Sequence, residues 1–259
     1  MTYGFIGTGN MGGALARALV REVSPSDVYL NNRTPAKAEA LAAELGARAD
    51  TAAHIAAACD YIFLGVKPNL IAGVLAQLAP TLAQRTDKPV LVSMAAGVTI
   101  AALEQAAPGC PILRIMPNTA CAVGAGLTLY DANALLTKPQ LDAFLADLEA
   151  LPEHLIDAGS AVAGCGGAFA CLFMEGLADG AVTCGLPRDK ANTFAAQMLL
   201  GAARLALESG KPFGQMKDEI CSPGGTTIAG VRALEEGGLR AAAMNAVIAA
   251  YEKTLQLKK

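Results

Sequence analysis

Three glycines near the amino terminus have the spacing of a phosphate-binding turn. The run Gly4-Phe5-Ile6-Gly7-Thr8-Gly9-Asn10-Met11-Gly12 carries Gly-x-Gly-x-x-Gly. It directly follows an apolar, strand-like stretch, Tyr3 to Ile6, and opens a helix-like one, Met11 to Arg21, with Leu15, Ala18 and Leu19 inward. In that context the first glycine permits a tight turn, the second lets a pyrophosphate approach the backbone, and the third lets helix and strand pack closely. The helix N-terminus adds free N–H groups and a partial positive charge. Ile6, Gly7, Thr8, Gly9, Asn10, Met11 and Gly12 are therefore candidate dinucleotide-binding residues. A glycine turn with a purely structural role is the alternative.

The next strand end discriminates between dinucleotides. NAD-binding proteins place Asp or Glu about 20 residues on, where it holds the ribose 2′-hydroxyl. Here Val28 to Leu30 runs into Asn31-Asn32-Arg33-Thr34-Pro35-Ala36-Lys37, with no carboxylate. The planar guanidinium of Arg33 suits a 2′-phosphate, with Asn32 as a neutral donor and Lys37 as a second cation. NADPH is the favoured cofactor and NADH is admitted; an Arg33 that merely caps a solvated loop is the alternative.

Two further strand ends carry candidates, since ligands of open α/β sheets lie outside the carboxyl ends of the strands. Val66-Lys67-Pro68 puts a lysine there, with Pro68 opening the next helix and fixing the geometry of Lys67. Met94, Ala95, Ala96 and Gly97 end the following strand with mostly small side chains, against which a flat nicotinamide ring could lie. Arg114-Ile115-Met116-Pro117-Asn118-Thr119 is polar where a structural sheet has no need of it. A surface role for Lys67 is the alternative.

Alternating strand and helix signals position these groups. Tyr61 to Val66, Val90 to Met94 and Ile112 to Met116 read as strands buried on both faces. Helices are expected from Pro35 to Gly46, Thr99 to Ala107 and Lys138 to Leu151, with a strand at Leu127 to Tyr130. This order predicts a doubly wound α/β sheet. Strand character ends at Leu155-Ile156-Asp157, and helices are expected at about 162–184, 188–209, from Gly225 and over 239–257, with a short turn near 213–218. Between Ala158 and Pro187 the only charges are Glu175 and Asp179, and Met244, Val247, Ile248, Tyr251 and Leu255 form an apolar stripe. A unit this apolar and this small predicts cover by a second subunit, a central helix of a monomeric bundle being the alternative.

Composition narrows the function classes. At 259 residues, 53% hydrophobic and 17% charged, the chain is not intrinsically disordered. A net charge of −3 argues against nucleic acid or anionic lipid as the main partner. The uncharged stretch Ala158 to Met174 meets Glu175 short of about 20 strongly apolar residues, so no membrane span is expected. The N-terminus shows no basic export region. Seven cysteines without a Cys-x-x-Cys pair read as small buried hydrophobes in a reducing cytoplasm, and His54 and His154 lack neighbouring ligands, so no metal site is expected.

Cys221-Ser222-Pro223-Gly224-Gly225-Thr226-Thr227 describes a tight turn opening a helix. Its backbone N–H groups with two hydroxyls would suit a small carboxylate, and an ordinary helix cap fits the spacing equally well.

Taken together, these motifs resemble pyrroline-5-carboxylate reductases over nearly the whole chain. The resemblance rests on Gly4 to Met11, Val66-Lys67-Pro68, Ala95 to Ile100, Arg114 to Thr119, Gly185-Leu186-Pro187-Arg188 and Ser222 to Thr227, in the family order. It implies an N-terminal Rossmann-type doubly wound sheet over 1–157 and a C-terminal all-helical substrate-binding and dimerisation domain over 158–259. It also implies NAD(P)H-dependent reduction of 1-pyrroline-5-carboxylate to L-proline, with homodimers that in the family assemble into rings. In the family the Ser-Pro-Gly-Gly-x-Thr turn holds the substrate carboxylate, which here implicates Ser222, Gly224, Gly225, Thr226 and Thr227. Lys67 is expected near the nicotinamide and, with Thr227, is the catalytic candidate. The chain departs from the family's Ser-Gly-Ser-Gly-Pro-Ala-Tyr at Ala163-Gly164-Cys165-Gly166-Gly167-Ala168-Phe169, and Gly210 stands where some relatives are acidic. A β-hydroxyacid dehydrogenase would carry a lysine on the long helix, and residues 163–184 have none. A cofactor-binding paralogue without activity is the other alternative.

Overall fold

The structure is a computed structural model and describes residues 1–142 and 148–257. The chain divides into two compact units, Met1–Cys165 together with the chain from Ala250 onward, and Gly166–Ala249.

Short runs of apolar residues build the sheet of the first unit. Its elements are β1 (Tyr3–Ile6), α1 (Asn10–Leu19), β2 (Val28–Asn31), α2 (Pro35–Leu45), β3 (Arg48–Ala49), α3 (Ala52–Ala58), β4 (Tyr61–Leu64), α4 (Ile71–Gln84) and β5 (Val90–Ser93). They continue with α5 (Ile100–Ala106), β6 (Ile112–Pro117), β7 (Thr128–Ala132), α6 (Lys138–Asp142), β8 (Leu148–Ala150) and α7 (Glu153–Ala163). The strand order is β3-β2-β1-β4-β5-β6-β7-β8, parallel except for the β6–β7 pair. Alternate residues of each central strand serve opposite faces, as a pleated strand demands. Ile6, Ile62, Leu64 and Leu91 pack with Ile55 of α3 and Leu75 of α4 on one side. Phe5, Phe63 and Val92 pack with Leu19 of α1 and Leu41 of α2 on the other. Phe5 and Phe63, paired across β1 and β4, stack with ring centroids 4.3 Å apart. The strand order reverses between β1 and β4, the place where a doubly wound sheet opens its ligand crevice.

Four expectations change in the first unit. The helix expected over Lys138–Leu151 is helical only to Asp142; residues 148–150 instead pair parallel with β7, Thr128 to Leu148 and Tyr130 to Ala150, and residues 143–147 lie outside the described chain. Helix-favouring Leu, Glu and Ala yield there to the unpaired backbone groups of an open sheet edge. Leu155, Ile156 and Asp157 belong to α7, whose start at Glu153 is capped from elsewhere in the chain. Inward residues of α1 include Ala16 and Leu19 rather than Ala18, while Leu15 is half-buried. Pro68 opens a 3-10 turn, Pro68–Leu70, that feeds α4 rather than the helix itself.

The second unit contains α8 (Gly166–Thr183), α9 (Arg188–Ser209), α10 (Phe213–Ile220), α11 (Thr226–Glu236) and most of α12 (Leu239–Gln256). The helix expected over 162–184 breaks at Gly164–Cys165. Only Ala178, Ala191, Ala195 and Met216 of the second unit are buried within the chain, whereas Leu172, Phe194, Leu207 and Met244 stand exposed. By length and composition alone, Glu153–Thr183 is apolar enough to cross a membrane, against the expectation drawn from the charge at Glu175.

Candidate functional site

Gly7 stands at the crevice between β1 and β4, at a φ of +102° that L side chains rarely adopt. Its N–H donates to the Asn31 carbonyl at 2.9 Å, and the Gly65 N–H donates to the Ile6 carbonyl at 2.9 Å. A Cβ on Gly7 would lie 2.6 Å from the Gly65 carbonyl group. A Cβ on Gly65 or Gly12 would strike the Gly7 carbonyl oxygen in turn. Three backbones therefore meet here with no room for side chains. Gly65 is the member that the sequence reading missed; its one sequence signal is a glycine ending a fully apolar strand.

Gly9 is glycine for a different reason. It is the extended N-cap of α1, and a Cβ there would meet nothing within 4 Å. No acidic residue occupies the first turn of α1 and no side chain caps it. The N–H groups of Asn10, Met11 and Gly12 donate to no other described residue. This open cradle of N–H groups is what a pyrophosphate requires, so the residues present fit a dinucleotide.

Asn32 links the glycine loop to the chain after β2. Its Nδ2 donates to Thr8 Oγ1 at 3.0 Å and its Oδ1 accepts the Thr34 N–H at 3.0 Å, so it braces the glycine loop and keeps one amide N–H in reserve. Arg33 and Lys37 are exposed and pair with no other described residue. Two unpaired cations beside β2 suit a 2′-phosphate.

Lys67 is exposed at the carboxyl end of β4, where its carbonyl accepts the Leu70 N–H and starts the 3-10 turn. Val66 packs close to Gly7. After β5, the Ala95 carbonyl accepts the Val98 N–H at 3.3 Å across Gly97, whose φ of +77° requires glycine. Ala95 is buried, Ala96 packs against Met116, Leu129 and Ile156, and Met94 joins the opposite core. Small residues at 95 and 96 are thus set by packing as well as by any ring lying over them. Arg114 lies buried in β6 and pairs with Glu153 and Asp157.

The structure thus brings together Gly7, Gly12, Gly65 and Val66, and joins Thr8 to Asn32. Ser222 to Thr227 belong to the second unit. The Gly225 N–H donates to the Ser222 carbonyl at 3.0 Å, with Gly224 at a φ of +67°. A helix of eleven residues, α11, then opens with Gly225 as N-cap, without side-chain cap or first-turn acid. The N–H groups of Thr226, Thr227 and Ile228 donate to no other described residue, and both threonines are exposed. This is a second helix start with open N–H groups, and two exposed hydroxyls stand beside it.

Cys59, Cys110 and Cys121 are buried as expected, but Cys165 and Cys221 are half-buried and Cys171 and Cys184 exposed, because the second unit has so little interior. Burial pushes the Cys59 thiol up to about 12, which keeps it un-ionised at neutral pH. His54 does have a neighbour, Asp50 Oδ2 at 2.6 Å from Nδ1, although no group of three metal-ligating side chains occurs among the described residues.

Residues 153–257 match the family described as pyrroline-5-carboxylate reductase dimerisation, and residues 2–97 match NADP oxidoreductase, coenzyme F420-dependent. The pyrroline-5-carboxylate reductase of Escherichia coli K12 is 39% identical over 266 residues, spanning 99% of this chain and 98% of that protein. The reductase of Methanosarcina acetivorans is also 39% identical, over 99% of this chain and 97% of its own. Among solved structures, the Plasmodium falciparum pyrroline carboxylate reductase with NADP bound aligns at a TM-score of 0.87 and 28% identity, covering 100% of this chain and 98% of that one. The Coxiella burnetii pyrroline-5-carboxylate reductase aligns at 0.87 and 30% identity with the same coverage.

Proposed function

We propose, for a chain that belongs to the pyrroline-5-carboxylate reductase family, the NADPH-dependent reduction of 1-pyrroline-5-carboxylate to L-proline, the last step of proline biosynthesis. The observation that carries this reading is the pair of open helix starts, α1 behind Gly9 and α11 behind Gly225, in a chain that aligns with these reductases from end to end.

The bound dinucleotide supplies a hydride to C5 of the ring, and the ring nitrogen takes a proton, giving the amine and the oxidised cofactor. The residues of this chain bind and align. Gly7, Gly9 and the N–H groups of Asn10 to Gly12 receive the pyrophosphate, and Arg33 and Lys37 receive the 2′-phosphate. Asn32 holds the loop through Thr8 and offers its remaining N–H. Ile6 ends the strand that presents the loop. Val66, Lys67 and Pro68, with Met94, Ala95 and Ala96, are assigned to the nicotinamide end, Lys67 as the cation nearest the reacting centre. Ser222, Gly224, Gly225, Thr226 and Thr227 receive the substrate carboxylate, with Thr227 orienting the ring. A cyclic imine of near-neutral basicity arrives protonated, so alignment counts for more than a strong general acid.

The dimerisation match covers the poorly buried helices, which accords with self-association. We take the cover of Glu153–Thr183 to be a second copy of the chain rather than lipid, with dimers assembling further into rings. The setting is the reducing cytoplasm, where exposed thiols persist.

Purified protein should oxidise NADPH when pyrroline-5-carboxylate is added, followed by absorbance with proline as the measured product. Cofactor binding without turnover would overturn the reading in favour of a non-catalytic paralogue. Thr226→Ala with Thr227→Ala should raise the imine KM roughly tenfold or more, as loss of hydrogen bonds to a charged group implies, and leave the NADPH Kd unchanged. An unaltered KM would remove the two hydroxyls from the site.

A further inference from the structure

Ile6, Leu64 and Ser93 are level with one another in three neighbouring parallel strands, β1, β4 and β5. Gly7, Gly65 and Met94 therefore leave the sheet side by side along one edge, with Met94 two strand spacings, roughly 10 Å, from the Gly7 turn. The loop from Met94 to Thr99 follows, and its two alanines belong to different cores. Ala95 packs with the cluster that holds Leu75 of α4 and Leu103 of α5, whereas Ala96 packs against Met116, Leu129 and Ile156. The bonds within the loop are long: the Ala95 N–H donates to Ser93 Oγ at 3.4 Å and the Val98 N–H to the Ala95 carbonyl at 3.3 Å. A loop held this weakly from within needs an anchor from outside.

That anchor is Glu153, the first residue of α7. Its Oε1 accepts the Ile100 N–H at 2.7 Å, while Thr99 Oγ1 takes the Ala102 N–H at 3.2 Å. Together they satisfy two of the N–H groups that the start of α5 would leave unpaired. The same Oε1 accepts from Arg114 Nη1 at 3.0 Å, and Arg114 Nη2 donates to Asp157 Oδ1 at 2.9 Å. Arg114 is level with Ser93 across β5 and β6, so the Glu153 carboxylate is tied to the sheet where the loop departs. Asp131 of β7 accepts the Glu153 N–H at 2.7 Å and fixes the backbone behind that carboxylate. Asp157, its side chain only 2% exposed, neutralises the buried guanidinium by itself. Glu153 is the member of the cluster that reaches the loop. Every one of these contacts lies within the first unit.

We propose that Glu153 is a positioning residue for hydride transfer: held by Arg114, its carboxylate anchors the Met94–Thr99 loop through the Ile100 N–H and so sets the surface that receives the nicotinamide ring. The proposal rests on the assignment of Met94, Ala95 and Ala96 to the nicotinamide end. A loop that must be ordered on binding subtracts the entropy of that ordering from the affinity, and a loop ordered in advance does not. Loss of the anchor therefore weakens the hold on the nicotinamide half and leaves the adenosine half, received at Gly9, Asn32 and Arg33, as it was.

The test measures binding of NADPH and of 2′-phospho-ADP, which carries the adenosine half without nicotinamide, to wild type, Glu153→Ala and Glu153→Gln. Glu153→Ala removes the acceptor while Asp157 still pairs Arg114. It should raise the NADPH Kd about fivefold or more, the scale on which re-fixing one backbone residue weakens binding, with the 2′-phospho-ADP Kd within about twofold of wild type. Glu153→Gln keeps an oxygen that accepts the Ile100 N–H and should bring both constants to within about twofold of wild type. Equal weakening of both ligands in Glu153→Ala, or an unchanged NADPH Kd, would overturn the proposal, as would a Glu153→Gln that does not restore binding. Should Glu153→Ala fail to fold, Glu153→Asp, which draws the oxygen back by one methylene at constant charge, carries the same expectation. Hydrogen–deuterium exchange over 94–103 without cofactor gives a ligand-free readout. Faster exchange in Glu153→Ala and wild-type exchange in Glu153→Gln are expected, and equal exchange in all three defeats the anchor. Wild-type protein that binds no NADPH would sink the functional reading and the proposal with it; normal wild-type binding with an unshifted ratio in Glu153→Ala sinks the proposal alone.

Discussion

At Gly7 a side chain would collide with the Gly65 backbone, whereas at Gly9 it would point into open space. Gly7→Ala should therefore damage the fold, lowering Tm and soluble yield, because both the positive φ and the 2.6 Å approach forbid a methyl group. Gly9→Ala should melt within about 2 °C of wild type, since surface changes of this kind stay near ±0.5 kcal/mol. It should nevertheless weaken NADPH binding severalfold by occupying the approach of the pyrophosphate. Calorimetry and fluorescence titration of the two variants separate these effects; equal losses of Tm would refute the distinction. Both glycines were legible in the sequence because turn chemistry is local. Gly65 was not, since its reason for being glycine is Gly7, a distant residue in the chain. Arg114 was legible as an anomaly only; its partners lie 39 and 43 residues further on.

Among the elements, the strands of the sheet and the capped helices follow their sequence signals closely. Pro35 opens α2 and Gly46 closes it in the left-handed region, and Thr99 caps α5 by accepting the Ala102 N–H. The failures fall at β8 and at the start of α7, where partners across the sheet outweigh local preference. The start of α8 is a different matter: Gly166-Gly167 occupies its first helical turn. A Cβ on Gly167 meets nothing within 4 Å, and its N–H donates to no other described residue. Gly167→Pro should stabilise the protein by about 0.4–1 kcal/mol through the unfolded chain. That corresponds to a Tm higher by roughly 1–4 °C in scanning calorimetry. A lower Tm would mean that the turn at Gly164–Cys165 needs the freedom that two glycines provide.

For the whole molecule, the contrast between the units sets the expectation. The first has a sheet covered on both faces; the second leaves leucines such as Leu172, at 71% exposure, on its surface. Helices with so small an interior gain their stability from a partner surface. Leu172→Glu should shift the protein toward monomer in sedimentation velocity, because a carboxylate buried in an apolar contact is strongly unfavourable. It should lose imine reduction in proportion, with NADPH binding to the first unit largely kept. A variant that remains a full-strength dimer would place the contact on another face.

The strand–helix alternation of the sheet, the glycine cradle, the missing carboxylate after β2 and the threonine turn before α11 were all determined by residue type and spacing along the chain. They depend on periodicity, turn geometry and helix ends, which act over a few residues. Tertiary structure alone decided which backbones close on Gly7, which carboxylates neutralise Arg114, and that residues 148–150 join a sheet rather than a helix. Burial makes those choices, since an unpaired charge or peptide group inside a core is costly enough to override any preference written locally.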